Sequence, residues 1–397
     1  MDRTPRRGAQ VFHHRLRSKA INESPQNPEF LKNIGIRRVI SARTRQTVFG
    51  GSKMRPEVWA AMREANTAQV DMNELHAKAG ARIAELTRNE AAYVTSGSAA
   101  GLVLCAAACI TGGNPALMDR LPFTDGLKNE IVIHRFQRNH YDINIRQAGA
   151  RLVEIGSHRQ THPWELEEAI GEKTAGVFYF PGRYAGGNIL KLETIIEIAH
   201  ERNVPVIVDA AAQLPPSSNL WRYTREMGAD AAIFSGGKSI GGPQNTGIIL
   251  GKKEIVQACA MTGSPRYSVG RPMKAGCDDI VGLLCALEHY LDSGEAEQYA
   301  HNERWCEFYM ERMSGMKGLS PRVRRPNALG QDLPEVVVEI DEDALGKSRD
   351  AIVDALWACE VRVQVGLSGE SGIFISPDPL TDADAEYLWA RLMEIVS

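Results

Sequence analysis

Lys238 is the residue of this sequence whose surroundings most favour chemistry. It lies in the run Ser235-Gly-Gly-Lys-Ser-Ile-Gly-Gly242, which directly follows the apolar segment Ala231–Phe234. Glycines on both sides of the lysine let the backbone pass close to a flat ligand. An amine at the end of an apolar strand is also partly removed from water, which lowers its pKa and makes it a nucleophile. The run therefore predicts a reactive lysine.

Two other interpretations of this run remain open. Gly237-Lys238-Ser239 imitates the end of a phosphate-binding P-loop, but that motif needs a glycine where the sequence has Ala232. A lysine with a purely structural role is the second alternative. The residues at the ends of the other predicted strands help to decide between a reactive lysine, a P-loop and a structural lysine.

Several further apolar segments end in polar or small residues. In open parallel sheets, ligands bind beyond the carboxyl ends of the strands, so residues at those ends can act together. The residues that we assign to such a site are Ser96, Gly97, Ser98, His140, Asp209, Ala211, Gln213, Ser235 and Lys238.

This set of residue types fits the cofactor pyridoxal phosphate, whose aldehyde forms a Schiff base with a lysine amine. A buried carboxylate such as Asp209 favours the protonated ring nitrogen that makes the cofactor an electron sink. The helix that begins after Ser96 offers free N–H groups to the phosphate, and Ser235 can add a hydroxyl. His140 can lie flat against the cofactor ring.

Each of these residues also has a structural interpretation. Asp209 could cap a turn, Ser98 could cap its helix, and Ser235 could be a turn serine. His140 could be a solvated loop residue. The residues alone leave these alternatives open.

Cationic residues elsewhere could bind the cofactor phosphate or a substrate carboxylate. Arg271 and Lys274 lie in Gly270-Arg-Pro-Met-Lys274, and they could act from a partner subunit. We assign Lys274 to the cofactor and Arg271 to the substrate. Arg362 is a further candidate for the substrate carboxylate. Arg271 and Lys274 could equally be surface charges, and Arg362 is the weaker of the substrate candidates.

The hydrophobic pattern predicts the elements that must position these residues. Apolar segments that alternate with helical patterns predict a mostly parallel sheet of seven strands, covered on both faces. The link between the last two strands is too short for a helical crossover, so we expect the last strand to be antiparallel. The predicted strands are Ala91–Thr95, Glu130–His134, Arg151–Ile155, Gly176–Phe180, Val204–Ala210, Ala231–Ser235 and Thr246–Gly251.

We expect three parts in the chain. Residues 1–50 form a polar N-terminal arm, and residues 51–270 form a large domain that contains the sheet. Residues 271–397 contain a linking helix, Asp278 to Leu291, and a smaller C-terminal α/β domain. The fold class is therefore α/β.

The composition of the chain excludes several classes of function. The chain has 397 residues, of which 43% are hydrophobic and 24% charged, as in ordinary globular proteins. A net charge of −3 gives no general attraction to nucleic acid. The seven cysteines include no C-x-x-C pair, and no apolar run has the length of a membrane span. We expect a cytoplasmic protein with no metal site and no membrane or nucleic-acid partner.

The quoted residues resemble the fold-type-I pyridoxal-phosphate enzymes, which have an aspartate aminotransferase-like fold. Phe234–Gln244 is similar to the lysine loop of the bacterial selenocysteine synthase family. Tyr93–Gly101, Arg138–Asp142 and Gly270–Lys274 resemble its D-glucosaminate-6-phosphate ammonia lyase-like branch. The resemblance implies a homodimer or a larger homo-oligomer with the active site at a subunit interface.

By this resemblance Lys238 forms the Schiff base, Asp209 contacts the pyridine nitrogen and His140 stacks on the ring. The chain departs from the expected small residues at Ser41-Ala-Arg-Thr-Arg45. If Arg43 and Arg45 face the site, they suggest a substrate with an extra anionic group, and Arg43 is our candidate. A surface role for both arginines is the alternative.

The expected reaction is β-elimination from an amino acid that carries a β-hydroxyl group. Removal of the Cα proton and loss of the hydroxyl would yield a 2-oxo acid and ammonia. The same carbanion on Cα also occurs in the reactions of a racemase, an epimerase or an aldolase. A seryl-tRNA selenium transferase and a non-catalytic cofactor-binding protein are further alternatives.

Overall fold

The computed structural model describes residues 26–182 and 189–397. The chain forms two compact units. The large unit comprises Arg45–Ala300 and Arg325–Leu333, and the small unit comprises Met1–Thr44, His301–Arg324 and Pro334–Ser397. The predicted linking helix therefore falls in the large unit.

Strands are numbered in chain order. They are β1 (Val39–Ser41), β2 (Ala91–Thr95), β3 (Glu130–His134), β4 (Arg151–Ile155), β5 (Thr174–Tyr179), β6 (Val206–Asp209), β7 (Ala231–Ser235), β8 (Gly247–Gly251), β9 (Leu319–Arg324), β10 (Glu335–Ile340), β11 (Arg362–Gln364), β12 (Gly366–Ser368) and β13 (Gly372–Ile375).

The α-helices of the described residues are numbered in the same way. They are α1 (Glu29–Asn33), α2 (Pro56–Ala65), α3 (Met72–Leu86), α4 (Ser98–Thr111), α5 (Pro115–Met118), α6 (Asp142–Gln147), α7 (Pro163–Ala169), α8 (Leu192–Glu201), α9 (Asn219–Trp221), α10 (Lys253–Thr262), α11 (Cys277–His289), α12 (Glu295–Met313), α13 (Glu342–Leu345), α14 (Arg349–Ala358) and α15 (Asp382–Val396).

A seven-stranded sheet forms the centre of the large unit, with the strand order β2-β8-β7-β6-β5-β3-β4. Strand β8 is antiparallel to both of its neighbours, β2 and β7. The pairs from β7 to β4 are parallel. The predicted seven-stranded, mostly parallel sheet with an antiparallel last strand is confirmed.

Successive residues of the central strands face opposite sides of this sheet. In β7, Ile233 belongs to one hydrophobic cluster, and its neighbours Ala232 and Phe234 belong to another. Residues of α4, α6 and α10 complete the first cluster, and residues of α2, α3, α8 and α11 complete the second. Because both faces are covered, the strands are apolar throughout, which explains their continuous hydrophobic pattern.

Helix α4 approaches the sheet closely, and a glycine permits this approach. A Cβ atom on Gly101 would lie 2.7 Å from Cγ2 of Ile233. The helix therefore packs directly against β7. The helix begins at Ser98, immediately after β2.

The small unit has a four-stranded antiparallel sheet, β12-β13-β10-β9, and a parallel pair, β1 with β11. Residues 39–41, which the sequence assigned to the N-terminal arm, form β1. Strand β9 was not predicted, because the sequence Leu-Ser-Pro-Arg-Val-Arg has little hydrophobic alternation. It lies at the edge of its sheet, where a proline such as Pro321 is tolerated.

Candidate active site

A cavity of about 500 Å³ lies at the edge of the large sheet where β2, β6 and β7 end. Eight of the residues that the sequence assigned to a site line it. They are Ser96, Gly97, Ser98, Asp209, Ala211, Gln213, Ser235 and Lys238. The parallel strand order brings these chain segments, which are far apart in the sequence, to one place.

Lys238 lies in the turn that follows β7, between two pairs of glycines. Its side chain is partly buried and lines the cavity. Burial lowers the pKa of Lys238, and the negative charge of Asp209 opposes this change. The amine is therefore neutral at a lower pH than that of an ordinary lysine, and a neutral amine can act as a nucleophile or a base.

Asp209 ends β6, and its carboxylate faces the same cavity. Burial raises its pKa to about 6, against the effects of a hydrogen bond and of Lys238. The hydrogen bond comes from the backbone N–H of Ala211, 3.1 Å from Oδ1. A carboxylate with this raised pKa gains stability from a cationic partner in the cavity.

The N-terminus of α4 forms a third part of the cavity wall. Its N-cap residue is Gly97, with φ of 87°, and no side chain caps the helix. The first backbone N–H groups therefore have no side-chain acceptor, which suits a phosphate. Neighbouring strand β8 fixes this turn tightly, because a Cβ atom on Gly247 would lie 2.6 Å from the backbone nitrogen of Ser98.

The donor set fits pyridoxal phosphate. One cavity combines an amine of lowered pKa, a partly buried carboxylate of raised pKa and an uncapped helix N-terminus, with the hydroxyl of Ser235 beside them. These are the groups that an aldehyde, a pyridine nitrogen and a phosphate require. No group of three or more metal-ligating side chains occurs in residues 26–182 and 189–397.

The structure does not place His140 on the wall of this cavity. His140 is exposed in a turn, and its neighbours Asn139 and Tyr141 line the cavity instead. The side-chain oxygen of Asn139 accepts a hydrogen bond from the backbone N–H of Tyr141 at 2.8 Å, which fixes this turn. The stacking role of His140 stays a prediction.

The four predicted cationic residues lie elsewhere. Arg271 packs over the ring of Tyr267, with 5.6 Å from its guanidinium carbon to the ring centre, and Lys274 is exposed. Neither lines the cavity. Arg43 and Arg362 belong to the small unit, where Arg43 is exposed and Arg362 forms part of β11. Their roles stay predictions.

Sequence reasoning missed five polar residues that line the cavity, namely Thr47, Asn139, Tyr141, Gln244 and Asn245. Gln244 and Asn245 follow the lysine run after Pro243, so the positions of the glycines could have indicated them. Asn139 could have been found as a neighbour of His140. Thr47 carries no signal, because nothing in the sequence brings it close to Lys238.

The fold and the site together define the class of fold-type-I pyridoxal-phosphate enzymes. Residues 141–320 match the aminotransferase class-V family. The chain is 31% identical over 376 residues to the D-glucosaminate-6-phosphate ammonia lyase of Salmonella typhimurium, covering 93% of this chain and 98% of the other. It is also 31% identical over 335 residues to a Streptomyces 5'-C-glycyluridine monooxygenase-decarboxylase, covering 82% of this chain and 81% of the other.

A solved structure of a D-glucosaminate-6-phosphate ammonia-lyase superposes with a TM-score of 0.80 and 28% identity, covering 94% of this chain and 99% of the other. The chain belongs to the D-glucosaminate-6-phosphate ammonia lyase-like family of these enzymes. The recognition made from the lysine loop is confirmed, and the protein is an enzyme.

Proposed function

We propose that this protein is a pyridoxal-phosphate-dependent ammonia lyase whose substrate is an amino acid with a β-hydroxyl group. The observation that carries this proposal is the presence of Lys238 and Asp209 on one cavity wall, where each shifts the pKa of the other. The relatives support the reaction type, since the ammonia lyase covers nearly the whole chain.

The residues proposed to hold the cofactor are those of the cavity wall. Asp209 would face the pyridine nitrogen, the N-terminus of α4 would bind the phosphate, and Lys238 would bind the aldehyde carbon. When bound, the cofactor supplies an electron sink for the charge that develops on the substrate Cα. His140 and Lys274 remain proposed cofactor contacts.

Once the substrate amine has replaced Lys238 on the cofactor, the freed Nζ of Lys238 would accept the Cα proton, because burial favours the neutral amine. Nζ would then pass this proton to the β-hydroxyl, which departs as water, and the enamine product would react with water to give the 2-oxo acid and ammonia. Asp209 would remain ionised at neutral pH, since its pKa of about 6 lies below 7. A cationic heterocycle beside it would stabilise this ionised form further.

Neutral polar side chains line part of the remaining cavity wall, among them Thr47, Asn139, Gln244 and Asn245. Hydroxyl and amide groups can bind a hydroxylated substrate chain by hydrogen bonds. We therefore place 2-amino sugar acids, with and without a phosphate, at the head of the substrate panel. Arg43, Arg271 and Arg362 remain proposed contacts for substrate anions.

We also propose a homodimer or larger homo-oligomer that works in the cytoplasm, with its active site at a subunit interface. Tyr267 is 92% exposed and Val48 79% exposed. Large hydrophobic side chains that are exposed in one subunit could be covered by a partner subunit. Nε of Arg271 is buried without a hydrogen-bond partner in the described residues.

None of the described helices is long and apolar enough to cross a membrane.

The test supplies the protein with pyridoxal phosphate and a panel of D- and L-β-hydroxy amino acids, including 2-amino sugar acids. We expect ammonia and a 2-oxo acid in equal amounts. Inverted substrate without ammonia would identify a racemase or epimerase, and a released aldehyde would identify an aldolase. The panel is run in air and under nitrogen. A product that forms only with oxygen would indicate a reaction like that of the monooxygenase-decarboxylase relative instead.

A further inference from the structure

The lysine turn, residues 235–244, contains four glycines and needs restraint from outside. Glycine allows many backbone conformations, so a turn rich in it loses much conformational entropy when it is fixed. Inside the turn, the N–H of Gly241 donates to the carbonyl of Lys238 at 2.9 Å, and the N–H of Gly242 donates to Gly236 at 2.9 Å. The hydroxyl of Ser239, the residue after the lysine, also donates to the carbonyl oxygen of Leu214 at 2.6 Å.

A second segment, the strap of residues 45–52, contacts this turn. Nη1 of Arg45 donates to the carbonyl oxygen of Lys238 at 2.9 Å. The hydroxyl of Ser52 lies 2.5 Å from the same oxygen and 3.0 Å from the carbonyl oxygen of Gly237. The backbone N–H of Ser52 donates to Gly237 as well, at 3.1 Å. The carbonyls of the lysine and of the residue before it are thus both held from outside.

The backbones of the strap and the turn also approach closely at Gly51. A Cβ atom on Gly51 would lie 2.9 Å from the carbonyl oxygen of Gly237, and Gly51 has φ of 67°. In the opposite direction, Nε2 of Gln244 donates to the carbonyl oxygen of Thr47 at 3.1 Å. Hydrogen bonds therefore run both ways between the two segments.

We propose that Arg45 and Ser52 are positioning residues, which hold the backbone of Lys238 so that its amine enters the cavity in one direction. Arg45 stands where the sequence suggested a contact with an anionic substrate group, but its guanidinium contacts a main-chain carbonyl of the lysine turn. A hydrogen bond from a charged donor is stronger than a neutral one and suits this role. The inference rests on the proposed function, in which Lys238 is the reactive amine.

The test follows the amine itself rather than turnover. Apo-protein is treated with an amine-acylating reagent over a series of pH values, and acylation of Lys238 is measured by mass spectrometry of its peptide. In the double variant Arg45→Ala/Ser52→Ala, we expect the pH midpoint to rise towards that of an ordinary lysine, because a loosened turn admits water to the amine. We also expect pyridoxal phosphate uptake to slow by about tenfold, as the amine is misplaced.

Arg55→Ala is the matched control. It removes an arginine three residues beyond Ser52 that pairs with Glu297 and makes no hydrogen bond to the turn. We expect its midpoint to equal that of the wild type. Arg45→Lys retains a charged donor, so its pH midpoint should lie between those of the wild type and Arg45→Ala.

A folded double variant with the wild-type midpoint and uptake rate would overturn the proposal. If the double variant does not fold, the single variants Arg45→Gln and Ser52→Ala decide by the same two measurements. A midpoint that shifts as expected in a protein that releases no ammonia from the substrate panel would defeat the proposed function and leave the positioning role standing.

Discussion

Lys238 and Asp209 have pKa values that move towards each other, and this is the central chemical feature at the scale of residues. Burial lowers the pKa of the amine and raises that of the carboxyl group to about 6. Each charge partly restores the ionised form of the other. Removal of either group should therefore change the other's titration as well as the reaction.

We expect Lys238→Ala to lower kcat by about 10³-fold, within the range for loss of a general base. The substrate would lose the group that accepts its Cα proton. The measurement is ammonia release from the best substrate of the panel. Lys173→Ala, which removes an exposed lysine, is the control and should retain wild-type activity. A Lys238→Ala protein with undiminished kcat would contradict the assigned role.

Asp209→Asn should weaken the reaction in a different way. The amide cannot stabilise a cationic heterocycle, so we expect kcat to fall by about 10²-fold or more. Because Asp209 raises the pKa of Lys238, the variant should also lower the pH midpoint of Lys238 acylation in the apo-protein. An unchanged midpoint would show that the two groups do not interact.

The sequence could indicate residues at strand ends because burial and glycine spacing are local properties, while the roles of these residues stay predictions. Lys238 and Asp209 both follow apolar strands and both line the cavity. The direction of a loop side chain depends instead on how the whole loop folds. His140 was chosen by its chemistry, whereas the turn presents Asn139 and Tyr141 to the cavity.

At the scale of elements, the N-terminus of α4 depends on the strand beside it. Gly247 lies in β8, where a Cβ atom would meet the backbone nitrogen of Ser98 at 2.6 Å. We expect Gly247→Ala to displace the start of α4 and to raise the Kd for pyridoxal phosphate about tenfold, since overpacking of this kind costs roughly 1–3 kcal/mol. Titration of apo-protein with the cofactor measures this.

Gly171→Ala is the matched control, because a Cβ atom there would have no other heavy atom within 4 Å. It should leave the Kd unchanged. Equal affinities for the two variants would mean that the start of α4 does not bind the phosphate.

Element prediction succeeded where hydrophobic pattern and connection length both constrained the chain. The short link between β7 and β8 required an antiparallel pair, and the structure has one. Strand β9 depends instead on pairing with β10, and only Leu319 of its six residues is buried. A strand held by an edge pairing leaves little trace in hydropathy, and β1, with three residues, leaves even less.

At the scale of the whole molecule, buried ionisable groups make the stability of the large unit depend on pH in opposing ways. Asp209 has a pKa of about 6 against an ordinary value of 3.8, so its burial reduces stability as pH rises through this interval. Burial lowers the pKa of His76 to about 4 from 6.5, so this residue reduces stability as pH falls. Burial also lowers the pKa of His134 to about 4, so the wild-type curve alone cannot separate these groups.

His76→Phe should separate them. The imidazole stacks on Tyr93 with 4.9 Å between ring centres, and its Nδ1 has no hydrogen-bond partner in the described residues, so an aromatic ring without nitrogen can replace it. Above about pH 6.5 both folded and unfolded wild-type chains hold neutral imidazole, and below that only the unfolded chain gains a proton until about pH 4. We expect the wild type to lose up to about 3 kcal/mol relative to the variant over this interval, from 1.36 kcal/mol per pKa unit. Urea denaturation at several pH values measures the difference, and a constant difference between pH 7 and 4 would show that His76 takes up its proton equally in both states.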